Sequence, residues 1–218
     1  KRLVTIAEEL KQTLVPVTPT LNIYAQLTEL SDKKQTFMDS IPTEYTSDII
    51  ALEAKNNQVK RWLTSSEKMA LHNKRTLKFL QHITKVFHQS GVKMLVGSDS
   101  GVLLSPHGIA THNEMRLMQE SGLAAYEVLA AATINPAKAL RLEDKIGKIA
   151  ESYQADFILS KSNPIDDLSV LEVPDAVVKS GHFYSKDKLA ELREKAIKSR
   201  SVWSEIKTLF DAFVFMAI

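Results

Sequence analysis

The sequence predicts an α/β chain: a region of βα type, then a small β element, then a helical tail. Three observations carry that expectation. Met69, Leu71, Leu77, Leu80, Ile83, Val86 and Phe87 form an apolar stripe at helical spacing within residues 65–89. Residues 92–96 follow as a run that is apolar except for Lys93, the pattern of a strand buried on both faces. After residue 145 the pattern changes to short β-rich runs at 155–160, 176–179 and 183–185, and Ser180-Gly181 supplies a tight turn between the last two.

The remaining elements follow in order. Residues 1–13 place Leu3, Ile6, Ala7 and Leu10 at helical spacing, with Leu14 just beyond. Residues 14–21 form a β-rich run whose two prolines, Pro16 and Pro19, cannot donate ladder hydrogen bonds. The regular strand there shortens to about three or four residues. Residues 26–42 are polar and irregular, which reads as a loop with short helical pieces, and 46–63 read as helix. Gly91 stands where a glycine ends a helix. Gly97-Ser98-Asp99-Ser100-Gly101 then terminates the apolar run. Helices are expected at 113–121, closed by Gly122, and at 126–133 and 137–140. The tail from Lys186 is helical and ends in the apolar stretch 209–215. Three units result: 1–145, 146–185 and 186–218.

Composition narrows the function classes. The chain has 218 residues, 44% of them hydrophobic and 25% charged, as expected of a globular protein. Lys plus Arg number 28 against 26 acidic residues, and a net charge of +2 points to neither nucleic acid nor membrane as partner. The absence of cysteine removes disulfides, cysteine-zinc sites and thiol nucleophiles. No run reaches the roughly 18 apolar residues of a membrane span. The chain starts at Lys1 without methionine, already inside a helical pattern, which sets the expectation of a longer protein. Compartment stays open, with a slight preference for the cytoplasm.

Asp99 is the residue on which chemistry centres. A carboxylate directly after a buried strand lies at the strand's C-terminal end, where βα folds gather their active sites. Flanking glycines let the backbone bend and a ligand approach. The plainer alternative is an aspartate that caps a turn.

The downstream order adds weight to the chemical reading. Pro106-His107-Gly108 is followed by His112-Asn113-Glu114-Met115, and Gly122 leads into an alanine-rich stretch from Ala124 to Leu140 that contains Thr133-Ile134-Asn135-Pro136. Then come Gly147-Lys148-Ile149, Ala155-Asp156-Phe157-Ile158-Leu159, Asn163-Pro164-Ile165-Asp166-Asp167 and Val177-Val178-Lys179-Ser180-Gly181. This ordered series resembles the C-terminal part of the metal-dependent amidohydrolase superfamily, in its imidazolonepropionase-like and Xaa-Pro dipeptidase-like branch.

The resemblance implies the C-terminal part of a (β/α)8 TIM-like barrel plus strands of a small composite β-sandwich. Residues 14–18 would be the seventh barrel strand and 92–96 the eighth, with 155–160 and 176–185 in the sandwich. It implies a hydrolase that cleaves a C–N amide or peptide-like bond with metal-activated water. Asp99 would be both metal ligand and catalytic proton shuttle. The cofactor implied is a divalent metal ion, zinc foremost, in the intact protein. The partner implied is a small-molecule or dipeptide-like substrate, and a homo-oligomer is compatible. A deaminase of the same superfamily and a non-catalytic binding or assembly relative are the alternatives.

The superfamily's His-x-His pair and the ligands after its middle strands are missing among the six histidines here. One carboxylate cannot hold zinc in the usual arrangement of three protein ligands. The chain alone is therefore expected to be inactive, with the other ligands elsewhere and no metal necessarily bound. His107 and His112 are the candidate substrate-binding residues, each set against a plain reading as a loop or helix-start histidine. Glu114 reads as a first-turn acid, favoured there by about 0.3–1 kcal/mol. Asn135 reads as an N-cap with Pro136 behind it, and Asp156 as a structural strand-start residue. Thr20, Asn22 and Tyr24 would line the pocket on the template. Ser152 stands where the family carries a turn glycine, and positive φ there would cost on the order of 1 kcal/mol, so a different turn is expected. The tail is expected to pack on the body or on an oligomer partner.

Overall fold

A computed structural model describes residues 2–42, 44, 51–52, 54–199, 203 and 206–207. The chain is mixed: helices dominate its first two thirds, and a small sheet follows. Helix α1 (Arg2–Gln12) leads into an extended segment, then α2 (Leu21–Asp32) and α3 (Gln35–Ser40). A π-helical turn, Ala54–Val59, continues into α4 (Lys60–Leu63).

The long helix α5 (Glu67–Gln89) forms where the apolar stripe predicts it, with Leu77, Leu80, Ile83, Val86 and Phe87 half-buried while Met69 and Leu71 at its start are exposed. Ser66 caps its start by accepting the Met69 N–H. Its end is a Schellman motif: Gly91 takes φ +86, its N–H donates to the His88 carbonyl at 2.9 Å, and the Val92 N–H donates to Phe87 at 3.0 Å. Helices α6 (Ile109–Glu120), α7 (Ala125–Ala132) and α8 (Ile134–Ala139) follow the second extended segment.

That segment, 92–96, was expected to be a regular strand beside 14–18. The two meet instead through a single parallel bridge, Val17 to Met94. Val17 N–H donates to Lys93 O and Leu95 N–H to Val17 O, both at 2.8 Å. The ladder cannot extend along the first segment because Pro16 and Pro19 offer no N–H. Among the described residues no barrel closes.

Two more expectations need correction. Residues 26–42 are not mainly loop, because 21–32 form a continuous helix. Its buried face carries Asn22, Gln26, Thr28 and Ser31 beside Leu21 and Leu30. Each polar group is satisfied internally (Gln26 Nε2 donates to Leu103 O at 3.1 Å, Ser31 Oγ to Leu27 O at 2.8 Å), so burial here leaves no hydrophobic period to read. Helix α6 starts at Ile109, four residues before the expected 113.

The sheet has order β1 (Phe157–Leu159), β2 (Ala176–Lys179), β3 (His182–Ser185), antiparallel throughout, with Phe157 opposite Val178 and Val178 opposite Phe183. Ser180 and Gly181 take φ +51 and +79, the left-handed pair of a type I′ hairpin. Asp156 just outside β1 accepts the Ser180 N–H and pairs with Lys179. Those partners hold its carboxyl below the ordinary range, Lys179 foremost. Ser152 takes φ +67, so the turn keeps a glycine-like conformation with a serine in it. The expected change of turn is not what the chain does.

Helix α9 (Lys186–Lys198) is capped by Ser185 and buries none of its residues. It is laced by Glu191 pairs to Lys188 and Lys195. Most of the tail beyond it, including 209–215, lies outside the described residues, as do residues 46–50 and 53 of the expected 46–63 helix.

The core that supports the candidate site joins Leu21, Val92, Met94, Met115, Met118, Leu123, Val128 and Ala131. It fixes the second extended segment against α2, α6 and α7. Asn135, expected as an N-cap, instead lies inside α8 and donates its side-chain amide to Met94 O at 3.0 Å, tying that helix to the segment.

Candidate active site

The second extended segment ends where it comes closest to the first. A β-carbon on Gly97 would lie 2.4 Å from the Thr18 methyl group, closer than two carbons can approach without one of them moving. Ser98 follows, buried, and then Asp99, exposed and at φ +50. Aspartate tolerates this left-handed conformation better than most non-glycine residues. Among the described residues no hydrogen bond or ion pair engages the Asp99 carboxylate.

The loop then turns back on itself. Gly101 N–H donates to Ser105 O at 2.8 Å, and Ser100 Oγ lies 2.8 Å from His107 Nδ1. The His107 ring lies against Gly101: a β-carbon at Gly101 would meet its Cε1 at 3.5 Å. Asp99 and His107 therefore share one exposed loop. His112 is half-buried on α6. Among the described residues no hydrogen bond joins either histidine to Asp99.

Beneath the loop lies a polar cluster that sequence reasoning did not assemble. Asn22 is 1% exposed, and the pocket it borders is the cleft between α2, α5 and α6. Its Nδ2 donates to the Ser98 carbonyl at 3.0 Å and to Ser105 Oγ at 2.8 Å. Its backbone N–H donates to Glu114 Oε2 at 2.6 Å. Glu114 is 0% exposed and lies in the second turn of α6, so it is not a first-turn acid serving its own helix. It serves the start of α2, whose N-cap, Thr20, makes no side-chain cap.

Burial pushes the Glu114 carboxyl up to about 7 from an ordinary 4.5; the amides of Asn22, Leu21 and Thr20 pull the other way and lose. Its second oxygen, Oε1, is buried without a hydrogen-bond partner among the described residues.

A cleft of about 320 Å³ opens between α2, α5 and α6, lined by residues including Gln26, Glu29, Asn113 and Arg116. It does not reach Asp99. Tyr24, expected at the pocket, is 37% exposed and takes no part in the cluster.

For a divalent cation, Asp99 fits as one donor: a hard oxygen ligand with no competing partner among the described residues. Among the described residues no group of three or more His, Asp or Glu side chains gathers around a common point.

Comparison with known proteins follows the same line. Residues 21–184 match the model of the amidohydrolase family. A Xaa-Pro dipeptidase with methionine bound in its active site is 31% identical over 66% of this chain and 34% of its own, with a TM-score of 0.48. A Bifidobacterium longum protein described as a prolidase is 28% identical over 60% of this chain and 34% of its own, with a TM-score of 0.50. A bottromycin amidohydrolase is 21% identical over 84% of this chain and 40% of its own, with a TM-score of 0.70. The chain spans between a third and two fifths of the length of these three structures. No curated protein sequence matches it.

Proposed function

The chain belongs to the amidohydrolase family, and from that premise we infer that it supplies one metal-ligating, proton-transferring carboxylate, Asp99, to a hydrolase acting on a C–N bond. The observation that carries this reading is the Asp99 side chain itself: exposed, without a hydrogen-bond or ion-pair partner among the described residues, and set at the end of the 92–96 segment, which buries Val92 and Met94. The family match supports the reaction class, and the prolidase likeness supports a peptide-like substrate. On this reading the chain forms the last two strands of a (β/α)8 barrel and part of its β-sandwich.

A divalent cation, zinc foremost, would lower the pKa of a coordinated water from about 15.7 to about 7. Asp99 would be one of the residues holding that cation, and its carboxylate would take a proton from the attacking water and deliver it to the leaving nitrogen, which needs it to depart as a free amine. The glycines at 97 and 101 let Thr18 and His107 pack closely on either side of the Asp99 turn. His107, held through Nδ1 by Ser100, keeps Nε2 for a polar group of the substrate, and His112, half-buried on α6, is the second candidate for substrate contact.

The test is hydrolysis of a panel of Xaa-Pro dipeptides and N-acyl amino acids by the full-length protein. Turnover is expected to fall to background after chelation and to return on adding zinc. Turnover indifferent to chelation, or no C–N bond cleaved across the panel, contradicts the reading.

A further inference from the structure

We propose that Asn22 and Glu114 are positioning residues for Asp99: Asn22, held by Glu114, pins both ends of the loop that carries the carboxylate. The proposal rests on the reading of Asp99 as the reacting carboxylate and adds two residues that do not touch substrate.

The geometry is specific. An asparagine side-chain amide has two donor hydrogens, and both are used, one on the carbonyl of Ser98 and one on the hydroxyl of Ser105. Ser98 is the residue directly before Asp99, so fixing its carbonyl fixes the peptide plane from which the Asp99 side chain springs. Ser105 closes the loop through its own carbonyl on Gly101 N–H. One side chain thus holds residues 98 and 105 at a set separation. Asp99, at φ +50, sits in a sparsely populated conformation that a loose loop would leave.

Asn22 can do this only if its own backbone stays put. Its N–H points at Glu114, which is fully buried and reaches across 92 residues of sequence to make that bond. A buried carboxylate costs several kcal/mol in solvation unless something offsets it. A local N-cap at Thr20 would satisfy the helix start more cheaply. The long-range acid does what a local cap cannot: it locks α6, α2 and the 98–105 loop into one body. Among the described residues no ion pair involves Glu114, so its contacts here are to backbone and core.

The test uses the full-length protein with an Xaa-Pro dipeptide as substrate. Asn22→Ala is expected to lower kcat by about tenfold or more with KM changed less than about threefold, and its effect in an Asp99→Asn background is expected to shrink below about threefold. An undiminished loss in that background overturns the proposal, because Asn22 would then act apart from Asp99. Glu114→Gln keeps an acceptor for the Asn22 N–H and is expected to retain more activity than Glu114→Leu; equal loss in both overturns it.

If Asp99→Asn alone leaves turnover intact, the functional reading falls, and the brace is judged on structure. Amide exchange across 98–104 should then rise about tenfold in Asn22→Ala while the Ala176–Lys179 strand stays unchanged. No local rise overturns the brace as well. Should Asn22→Ala fail to fold, Ser105→Ala gives the same reading: faster exchange across 98–104 supports the brace and unchanged exchange overturns it.

Discussion

Asp99→Asn in the full-length protein is expected to lower turnover by more than about tenfold and to weaken metal retention. The two side chains have the same shape, so the substitution removes charge and basicity and little else. An amide is a poorer ligand for a hard cation and cannot accept the proton that a leaving nitrogen must receive. Stability should barely move, because Asp99 is exposed and engages no partner among the described residues; substitutions at such positions stay within about 0.5 kcal/mol. Steady-state kinetics, metal per protomer and thermal midpoint separate these effects. Unchanged turnover contradicts the assigned role, whereas a large fall in midpoint would mean that Asp99 holds structure.

The second large effect concerns Glu114 and pH. Its folded pKa is raised from 4.5 to about 7 by burial. The folded state therefore binds the Glu114 proton more tightly than the unfolded state does. The stabilisation is fully present below the unfolded value near 4.5 and is lost as pH rises through about 7. A shift of this size corresponds to about 3 kcal/mol of stability lost between pH 4.5 and pH 8. Glu114→Gln cannot titrate, so the difference between the two proteins isolates this group. Urea unfolding at steps across that window should show the wild type falling relative to Glu114→Gln as pH rises. Parallel curves contradict the raised pKa. The carboxylates with depressed pKa, Asp156, Asp167, Asp175 and Glu191, titrate below this window and do not mimic the slope.

What the sequence made legible is what depends on local chemistry. Gly91 and Gly122 mark helix ends because their φ of +86 and +100 suits glycine. Ser180-Gly181 marks a hairpin because both central residues of a type I′ turn need positive φ. The turn at Asp99 stood out by its glycines and by the apolar run before it, and family resemblance gave it a chemical role.

What stayed hidden depends on distance. Helix α2 buries Asn22, Gln26, Thr28 and Ser31 beside Leu21 and Leu30, so its buried face lacks a hydrophobic period. A buried glutamate is spelled like an exposed one, and nothing within a few residues of Glu114 announces a partner 92 positions away. The barrel strand expected at 14–18 reduces to one bridge. Its prolines were visible, and among the described residues it pairs with no other segment.

The most direct measurement is anomalous diffraction from crystals of the zinc-loaded full-length protein. The account predicts a zinc peak about 2.0–2.2 Å from an Asp99 carboxylate oxygen, with further ligands from residues outside this chain. A zinc bound elsewhere, with Asp99 turned toward bulk solvent, contradicts it.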